Sequence, residues 1–498
     1  MLDRPARTPT ARPPARDQQA HLGDPTRLGW PGRRWDPGSE AAQAQAAPPL
    51  EAVEEPWSGP DARESPARLV AGDALDVARA LAEEGLTGKV DLVYIDPPFG
   101  SQTAYTHEAR LDGPADGRLV RTQAYDDRWD GSLAAYLDML APRLEALTRL
   151  LAPGATLWVH VDWRASHLVR ILLDEILGRD AFVNEIVWRR APNLGRQAAS
   201  HQFGRTLDTL VVYGKRGGPA AAWLVPPSRL EPIEASAVRT DAEGRAFTTA
   251  PRGDYTDESI ARLEKEGRVH RTASGKVYIK YFLVKDAAGQ QWCRQRRVDS
   301  LWTDVPPLRH ARPGERTGFP TQKPRALLDR VVACASPPGG LVVDVFGGSG
   351  TTGESAHALG RRFVLGDASA LALATARARL LRAGVPLTLQ SCGNTRGQSG
   401  AGADADATTA PVKVHVARVG EGAVVTLEEP GEPLAWAIDA AGETSSRVFR
   451  RAWHSERAPG TKPIPAAVVA KLARIDGPLG IRVWLDDGRV AHRTVEVS

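Results

Sequence analysis

Residues 340–353 read GLVVDVFGGSGTTG. The apolar run GLVVDVF (340–346) has the composition of a buried strand. It feeds into the glycine turn Asp344-Val345-Phe346-Gly347-Gly348-Ser349-Gly350-Thr351-Thr352-Gly353. Glycines after a strand let the backbone approach a nucleotide-like ligand closely before a helix begins. RRFVLGD (361–367) reads as the next strand and ends on Asp367, placed to accept hydrogen bonds from ribose hydroxyls. Gly348, Gly350 and Gly353 fit the dinucleotide fingerprint, with Asp367 near its expected offset of about 20 residues. An NAD-dependent oxidoreductase is therefore one reading. A Walker-type ATP loop is not, because no Gly-Lys-Ser/Thr follows. A glycine turn without a ligand is the bland alternative.

Strands alternate with helices outward from this turn. PRALLDRVVACAS (324–336) reads as the preceding helix. ARLVAGDAL (67–75) is a short buried strand ending near Asp73, then a helix, and DLVYI (91–95) is a strand that stops at Asp96-Pro97-Pro98-Phe99. Proline cannot donate to a sheet ladder, so the chain leaves the sheet there. Leu133, Leu137, Leu140, Leu144, Leu147 and Leu151 have helical spacing. ATLWVHVD (155–162) reads as a strand, and SHLVRILLDEILG (166–178) as a helix with Ser166 at its N-cap and Gly178 as its stop. VNEIVWRR and DTLVVYGK are two further strands. The alternation predicts an α/β fold with a mostly parallel sheet.

The flanks differ in texture. Residues 1–60, rich in Pro, Ala, Arg and Gly without periodicity, read as a disordered tail. Residues 393–410 (GNTRGQSGAGADADATTA) read as a linker, and the alternating segments VKVHVARV, AVVTLEE, IRVWLDD and RTVEV as a small, separate β-rich domain over 411–498. The chain's 498 residues allow two or three domains. Cys293, Cys334 and Cys392 stand far apart and suggest neither a disulfide framework nor a zinc site, so no metal is expected. With neither a membrane-length apolar run nor a secretory signal, the expected location is the cytoplasm of a bacterial cell, beside its DNA. The formal charge is only +4, yet residues 185–316 hold 23 Lys and Arg against 15 Asp and Glu. That surplus is either a solvated loop surface or a phosphate-contacting face.

An Asp-Pro-Pro-Phe turn ending one strand, with DVFGGSGTT ending another, resembles the amino-methylating DNA methyltransferases. GDAL (72–75), LVYIDPPF (92–99), LWVHVDWRASHLVRILLDEILG (157–178), FVNEIVW (182–188), FPTQKP (319–324) and DVFGGSGTT (344–352) occur in that family's order, over roughly residues 67–385. The catalytic turn precedes the cofactor turn, which is the permuted order of the beta group. The chain is similar there to Mod subunits of type III restriction-modification systems and to related stand-alone adenine methyltransferases. The resemblance implies a Rossmann-like, S-adenosylmethionine-dependent methyltransferase fold. Its catalytic part would be 61–189, an inserted target-recognition region 190–315, and its cofactor-binding part 316–392. The substrate implied is double-stranded DNA. A restriction subunit or a second copy of the chain is left open as partner.

Roles follow from the matched motifs. Adenine's exocyclic amine is a poor nucleophile, because its lone pair is delocalised into the ring. Asp96 would accept one of its N–H groups and the Pro97 carbonyl the other, localising the lone pair toward the methyl donor; Pro98 helps fix the turn. Phe99 would stack on the flipped base, or else be a core aromatic. Phe346, Gly348, Ser349, Gly350 and Thr351 would wrap the cofactor's methionine end, Asp344 would lie near its amino group, and Asp367 would hold its ribose. Asp73 would lie near its adenine. Thr321 and Lys323, in the segment before the cofactor strand, would line its pocket. Asp162 would face that pocket or cap a helix. Aspartate rather than serine at position 96 implies adenine-N6 methylation, with cytosine-N4 as runner-up. A non-catalytic DNA-binding protein is the remaining alternative. The GDAS stretch (366–369) departs from the family's usual turn, and nothing after about residue 410 has a counterpart in the resemblance.

Overall fold

The computed structural model describes residues 27–38, 46–56, 67–99, 104–111, 118–127, 132–192, 203–215, 225–312, 314–393 and seven strands between 413 and 495. Eight strands form the centre: β1 (Ala67–Ala71), β2 (Val90–Ile95), β3 (Leu151–Val161), β4 (Phe182–Arg189), β5 (Leu207–Gly214), β6 (Leu341–Asp344), β7 (Arg362–Asp367) and β8 (Leu387–Cys392). They lie side by side in the order β4-β5-β3-β2-β6-β7-β1-β8. The run from β3 to β8 is parallel, and β5 enters antiparallel between β3 and β4.

Both faces of this sheet are covered, which is why its strands read as continuous apolar runs. Val93, Ile95, Val343 and Val345 face one layer, made by α1 (Ala74–Leu81), α2 (Leu133–Leu150) and α3 (Ser166–Leu177). Leu92, Tyr94 and Val342 face the other, packed by Leu327, Leu328, Val331 and Val332 of α5 (Arg325–Ala335), Ala356 of α6 (Thr351–Ala358), and Leu373, Leu380 and Leu381 of α7 (Ala370–Arg382). The result is a three-layer α/β/α sandwich, as the alternation implied.

The region around 190–315 is only partly an insertion. β5 and the short strand Leu301–Trp302, which pairs with β4, belong to the central sheet. Between them lies a separate six-stranded antiparallel sheet, ordered Arg239–Thr240, Ala246–Pro251, Val277–Lys285, Trp292–Arg297, Ser228–Pro232, with Val269–Arg271 also pairing with Val277–Lys285. The helix Asp257–Lys265, named α4, packs Ile260 and Leu263 against Ile279 there.

Three expectations are corrected. Ser166 is the first residue of α3 rather than its cap; Ala165 is the cap and makes no side-chain bond. Asp162 turns the chain instead, its carboxylate accepting from the Arg164 amide at 2.8 Å and its carbonyl from the Ser166 amide at 3.0 Å. Gly178 does end the helix, at φ 85°. Within 1–60, residues 27–38 are packed on the core rather than disordered. Trp35 is buried and donates from Nε1 to Glu145 at 2.8 Å, Trp30 donates to Asp138 at 2.9 Å, and Arg33 pairs with Glu175 at 2.6 Å. Residues 1–26, 39–45 and 57–60 lie outside the described residues, as do 394–410 of the expected linker. The C-terminal strands are not wholly separate either. Leu50–Pro56 pairs with β8 on one side and with Phe449–Glu456 on the other, so four strands after residue 430 extend the central sheet. A second group, Lys413–Val419, Gly422–Glu429 and Val469–Leu472, forms its own three-stranded sheet.

Candidate active site

Sheet register brings the two motifs together. β2 and β6 are adjacent and parallel, with Val93 opposite Val343, so the chain leaves both strands at the same edge. Asp96 follows β2 and the glycine turn follows β6. β7 ends beside them on Asp367, whose carbonyl accepts from the Gly72 amide at 3.0 Å. This edge, beyond the carboxyl ends of parallel strands, is where open α/β sheets bind ligands. A cavity of about 190 Å³ opens there. Asp96, Pro97, Pro98 and Phe99 line one side; Asp344, Phe346, Gly348, Ser349, Thr351 and Asp367 line the other; Thr321 and Lys323 reach it as well.

Three expected residues do not line the cavity. Asp73 caps α1, accepting from the Leu75 amide at 2.9 Å, and pairs with Arg143 at 2.5 Å. Gly350 lies beneath the turn as the N-cap of α6, at φ 78°. A side chain there would collide with α7, since a Cβ would stand 2.9 Å from that of Ala376. Gly348, at φ 50°, brings the backbone against the cavity, and its amide donates to Asp367 Oδ2 at 2.8 Å. Asp162 is also outside the cavity, held by Arg164.

The acids are held in different ways. Asp96 Oδ2 is bonded to Lys323 Nζ, which also sits 5.0 Å over the Phe99 ring. Asp96 Oδ1 is buried and has no hydrogen-bond partner among the described residues. A buried acceptor without a donor is costly, and at a functional site it marks the place of a ligand's N–H or O–H. Asp344 accepts from the Thr352 hydroxyl at 2.6 Å and the Phe346 amide at 3.0 Å. Complete burial nevertheless pushes its carboxyl up to about 7, with Asp96 and Asp367 adding to the rise. Burial likewise raises Asp367 to about 6, against the pull of the Ser369 and Gly348 amides.

Several neighbours carried no signal in the sequence. His160 is fully buried behind Phe99, stacked at 6.1 Å, with Tyr94 Oη 2.9 Å from its Nδ1 and Asp208 3.3 Å from its Nε2. Although burial alone would raise Asp208, bonding to His160 and the charges of Lys323 and Arg190 hold its carboxyl below the usual range. Gln322 ties the FPTQKP turn together, accepting from Thr317 and donating to the Glu315 carbonyl at 2.8 Å. Thr321, next to it, is the only non-glycine with positive φ among the described residues, at 63°. Such strain concentrates at ligand sites.

The DNA methylase family N6_N4_Mtase matches residues 90–376, a span that contains the Asp-Pro-Pro-Phe turn, the separate antiparallel sheet and the glycine turn. The chain belongs to this family. Among curated relatives, this DNA methylase is 27% identical over 322 residues to the type II methyltransferase M.EcaI of Enterobacter cloacae, covering 60% of the chain and 66% of the relative. It is 25% identical over 335 residues to the Mod subunit of the type III restriction-modification enzyme StyLTI of Salmonella typhimurium, covering 58% of the chain and 50% of the relative. The match thus spans less than two thirds of each relative's length. Among solved structures, a putative DNA modification methylase of Thermus thermophilus complexed with S-adenosyl-L-methionine is 18% identical, with a TM-score of 0.35, covering 66% of this chain and 98% of that one.

Proposed function

We propose that the chain transfers a methyl group from S-adenosylmethionine to the exocyclic amine of a base flipped out of double-stranded DNA, and that the amine is N6 of adenine. The observation that carries this reading is the buried Asp96 Oδ1, unpartnered among the described residues, which shares one cavity with a nucleotide-type glycine turn. The residues present fit the cofactor: a close-approach backbone at Gly348, hydroxyls at Ser349 and Thr351, and a carboxylate at Asp367. When bound, S-adenosylmethionine supplies an activated methyl group on a sulfonium.

The chain supplies orientation. Asp96 Oδ1 accepts one amine N–H and the Pro97 carbonyl the other, drawing the nitrogen toward a tetrahedral shape. Lys323 anchors the other oxygen of Asp96, so the free one is aimed at the base. Phe99, backed by His160, offers a stacking face. Positioning of this kind provides most of the rate for an already activated donor. The exposed Trp163, just past β3 at the same sheet edge, carries Arg205 at 4.0 Å and Arg164 at 4.9 Å, a cationic and aromatic lip suited to a nucleic-acid strand. The basic surplus of residues 185–316 supports a target-recognition role for the separate antiparallel sheet.

Incubating the protein with unmethylated DNA and S-adenosylmethionine, then identifying nucleosides by mass spectrometry, tests the reading. N6-methyldeoxyadenosine is expected. N4-methyldeoxycytidine would overturn the base assignment while keeping the mechanism. Failure to bind the cofactor and to modify DNA would overturn the whole. The likeness to a Mod subunit supports a restriction subunit as partner, and co-purification tests it.

A further inference from the structure

Arg379 lies on α7, outside both motifs and outside the cavity lining, yet its side chain is buried. Its guanidinium reaches the base of the glycine turn. Nη1 donates to Thr351 Oγ1 at 2.8 Å and lies 3.5 Å from Ser349 Oγ. Nε bonds Glu354, which Arg325 also approaches at 3.1 Å; Arg325 in turn pairs with the half-exposed Asp329 at 3.4 Å. Nη2 is buried and has no hydrogen-bond partner among the described residues. A buried guanidinium with unused donors is expensive to keep.

Its effect on the hydroxyls gives it a use. A guanidinium can only donate, so Thr351 Oγ1 must accept from it and turn its own proton elsewhere. The acceptors in reach are Ser349 Oγ at 3.1 Å and the Lys323 carbonyl at 3.3 Å. When Thr351 donates to Ser349, the Ser349 proton is released toward the cavity that both residues line. The first amides of α6, beyond the Gly350 cap, add donors at the same end. Donors from Ser349, Thr351 and this helix start thus share the cavity with the acids Asp344 and Asp367. An anionic acceptor fits those donors.

Resting on the reading above, we infer that Arg379 is a positioning residue for the α-carboxylate of S-adenosylmethionine, acting through the hydroxyls of Thr351 and Ser349. The test is calorimetric binding, without DNA, of S-adenosylmethionine and of its decarboxylated analogue to the full chain. Wild type is expected to prefer the carboxylate-bearing ligand. Arg379→Ala should weaken that ligand roughly tenfold or more, as loss of a charge-assisted contact does, and the decarboxylated ligand about twofold at most. Thr351→Val removes the intermediate hydroxyl while Arg379 keeps its ion pair with Glu354, and should give the same selective loss; it decides the matter if Arg379→Ala does not fold. Equal losses for both ligands, or none for either, overturn the inference and leave the cofactor reading standing. Wild-type protein that binds neither ligand overturns both.

Discussion

Gly350→Ala separates two costs that meet at the glycine turn. Gly350 has φ 78° and ψ 15°, where an alanine costs about 1–2 kcal/mol. Its added Cβ would stand 2.9 Å from Ala376 Cβ and 3.0 Å from Ala376 Cα. The second contact is backbone of α7, so relief requires a helix to move, and overpacking of that kind costs about 1–3 kcal/mol. Reduced freedom of the unfolded chain returns about 0.4–1 kcal/mol. The net expectation is a loss of about 2–4 kcal/mol. Two other glycines isolate the terms. Gly360 has φ 70° with nothing among the described residues within 4 Å of where a Cβ would stand, so Gly360→Ala reports the backbone term alone. At Gly353 φ is not positive, but a Cβ would lie 2.8 Å from Leu365 Cδ1 and 3.0 Å from Phe363 Cε2, so Gly353→Ala reports contact alone. Urea unfolding followed by tryptophan fluorescence reads the stabilities, and calorimetry reads cofactor affinity. Gly350→Ala should be the least stable of the three and should bind cofactor more weakly. If it is no less stable than Gly360→Ala, the reasoning from the α7 contact is refuted.

Other expectations follow from single sites. Asp96→Ala should lower methylation by about 10²–10⁴-fold and leave cofactor affinity nearly unchanged, so parallel loss of both in a binding and turnover comparison would contradict the role given to Asp96. Trp35→Ala should destabilise the core by about 3–5 kcal/mol, seen as a lower calorimetric midpoint; an unchanged midpoint would mean that residues 27–38 are not part of the fold. Burial raises Asp344 to about 7 and Asp367 to about 6, so the folded protein keeps protons that the unfolded chain releases from about pH 4 upward, and stability should fall as pH rises to 7. At 1.36 kcal/mol per pH unit, Asp344 alone contributes at most about 4 kcal/mol to that fall, and Asp344→Asn should flatten the slope of urea midpoints between pH 5 and 8.

The centre of the fold was legible because its signals are local. Leu92 to Ile95 and Leu341 to Val343 are apolar without interruption because helices cover both faces of their strands, and the prolines at 97 and 98 mark where the chain must leave the sheet. What escaped the reading depends on partners far along the chain. Trp35 stands among Arg, Pro and Gly, so its surroundings suggest disorder, yet its anchor is Glu145, 110 residues away. Arg379 looks like one more charge on a helix until its reach to Thr351 is seen. Ser166 has the right residue type for an N-cap, but Asp162 already turns the chain before it. Leu50–Pro56 shows no sign of bridging β8 to the C-terminal strands, because pairing partners are set by tertiary contact and not by its own composition.

Lys323 illustrates how the permuted order still builds one site. The sequence assigned it to the cofactor segment, whereas its ammonium is bonded to Asp96 of the Asp-Pro-Pro-Phe turn, 227 residues earlier. Chain order places these two segments far apart, but strand order places β2 against β6, and hydrogen-bonded register alone sets the distance between the two turns. The separation costs little: closure entropy grows with the logarithm of loop length, so doubling the intervening chain adds only about 0.6 kcal/mol. A separate sheet spanning Ser228–Arg297 can therefore sit within the connection without disturbing the site, provided that β5 and Leu301–Trp302 return the chain to the central sheet on either side of it. Under the proposed function, that arrangement lets the recognition surface vary while Asp96, Lys323 and the glycine turn keep the same geometry.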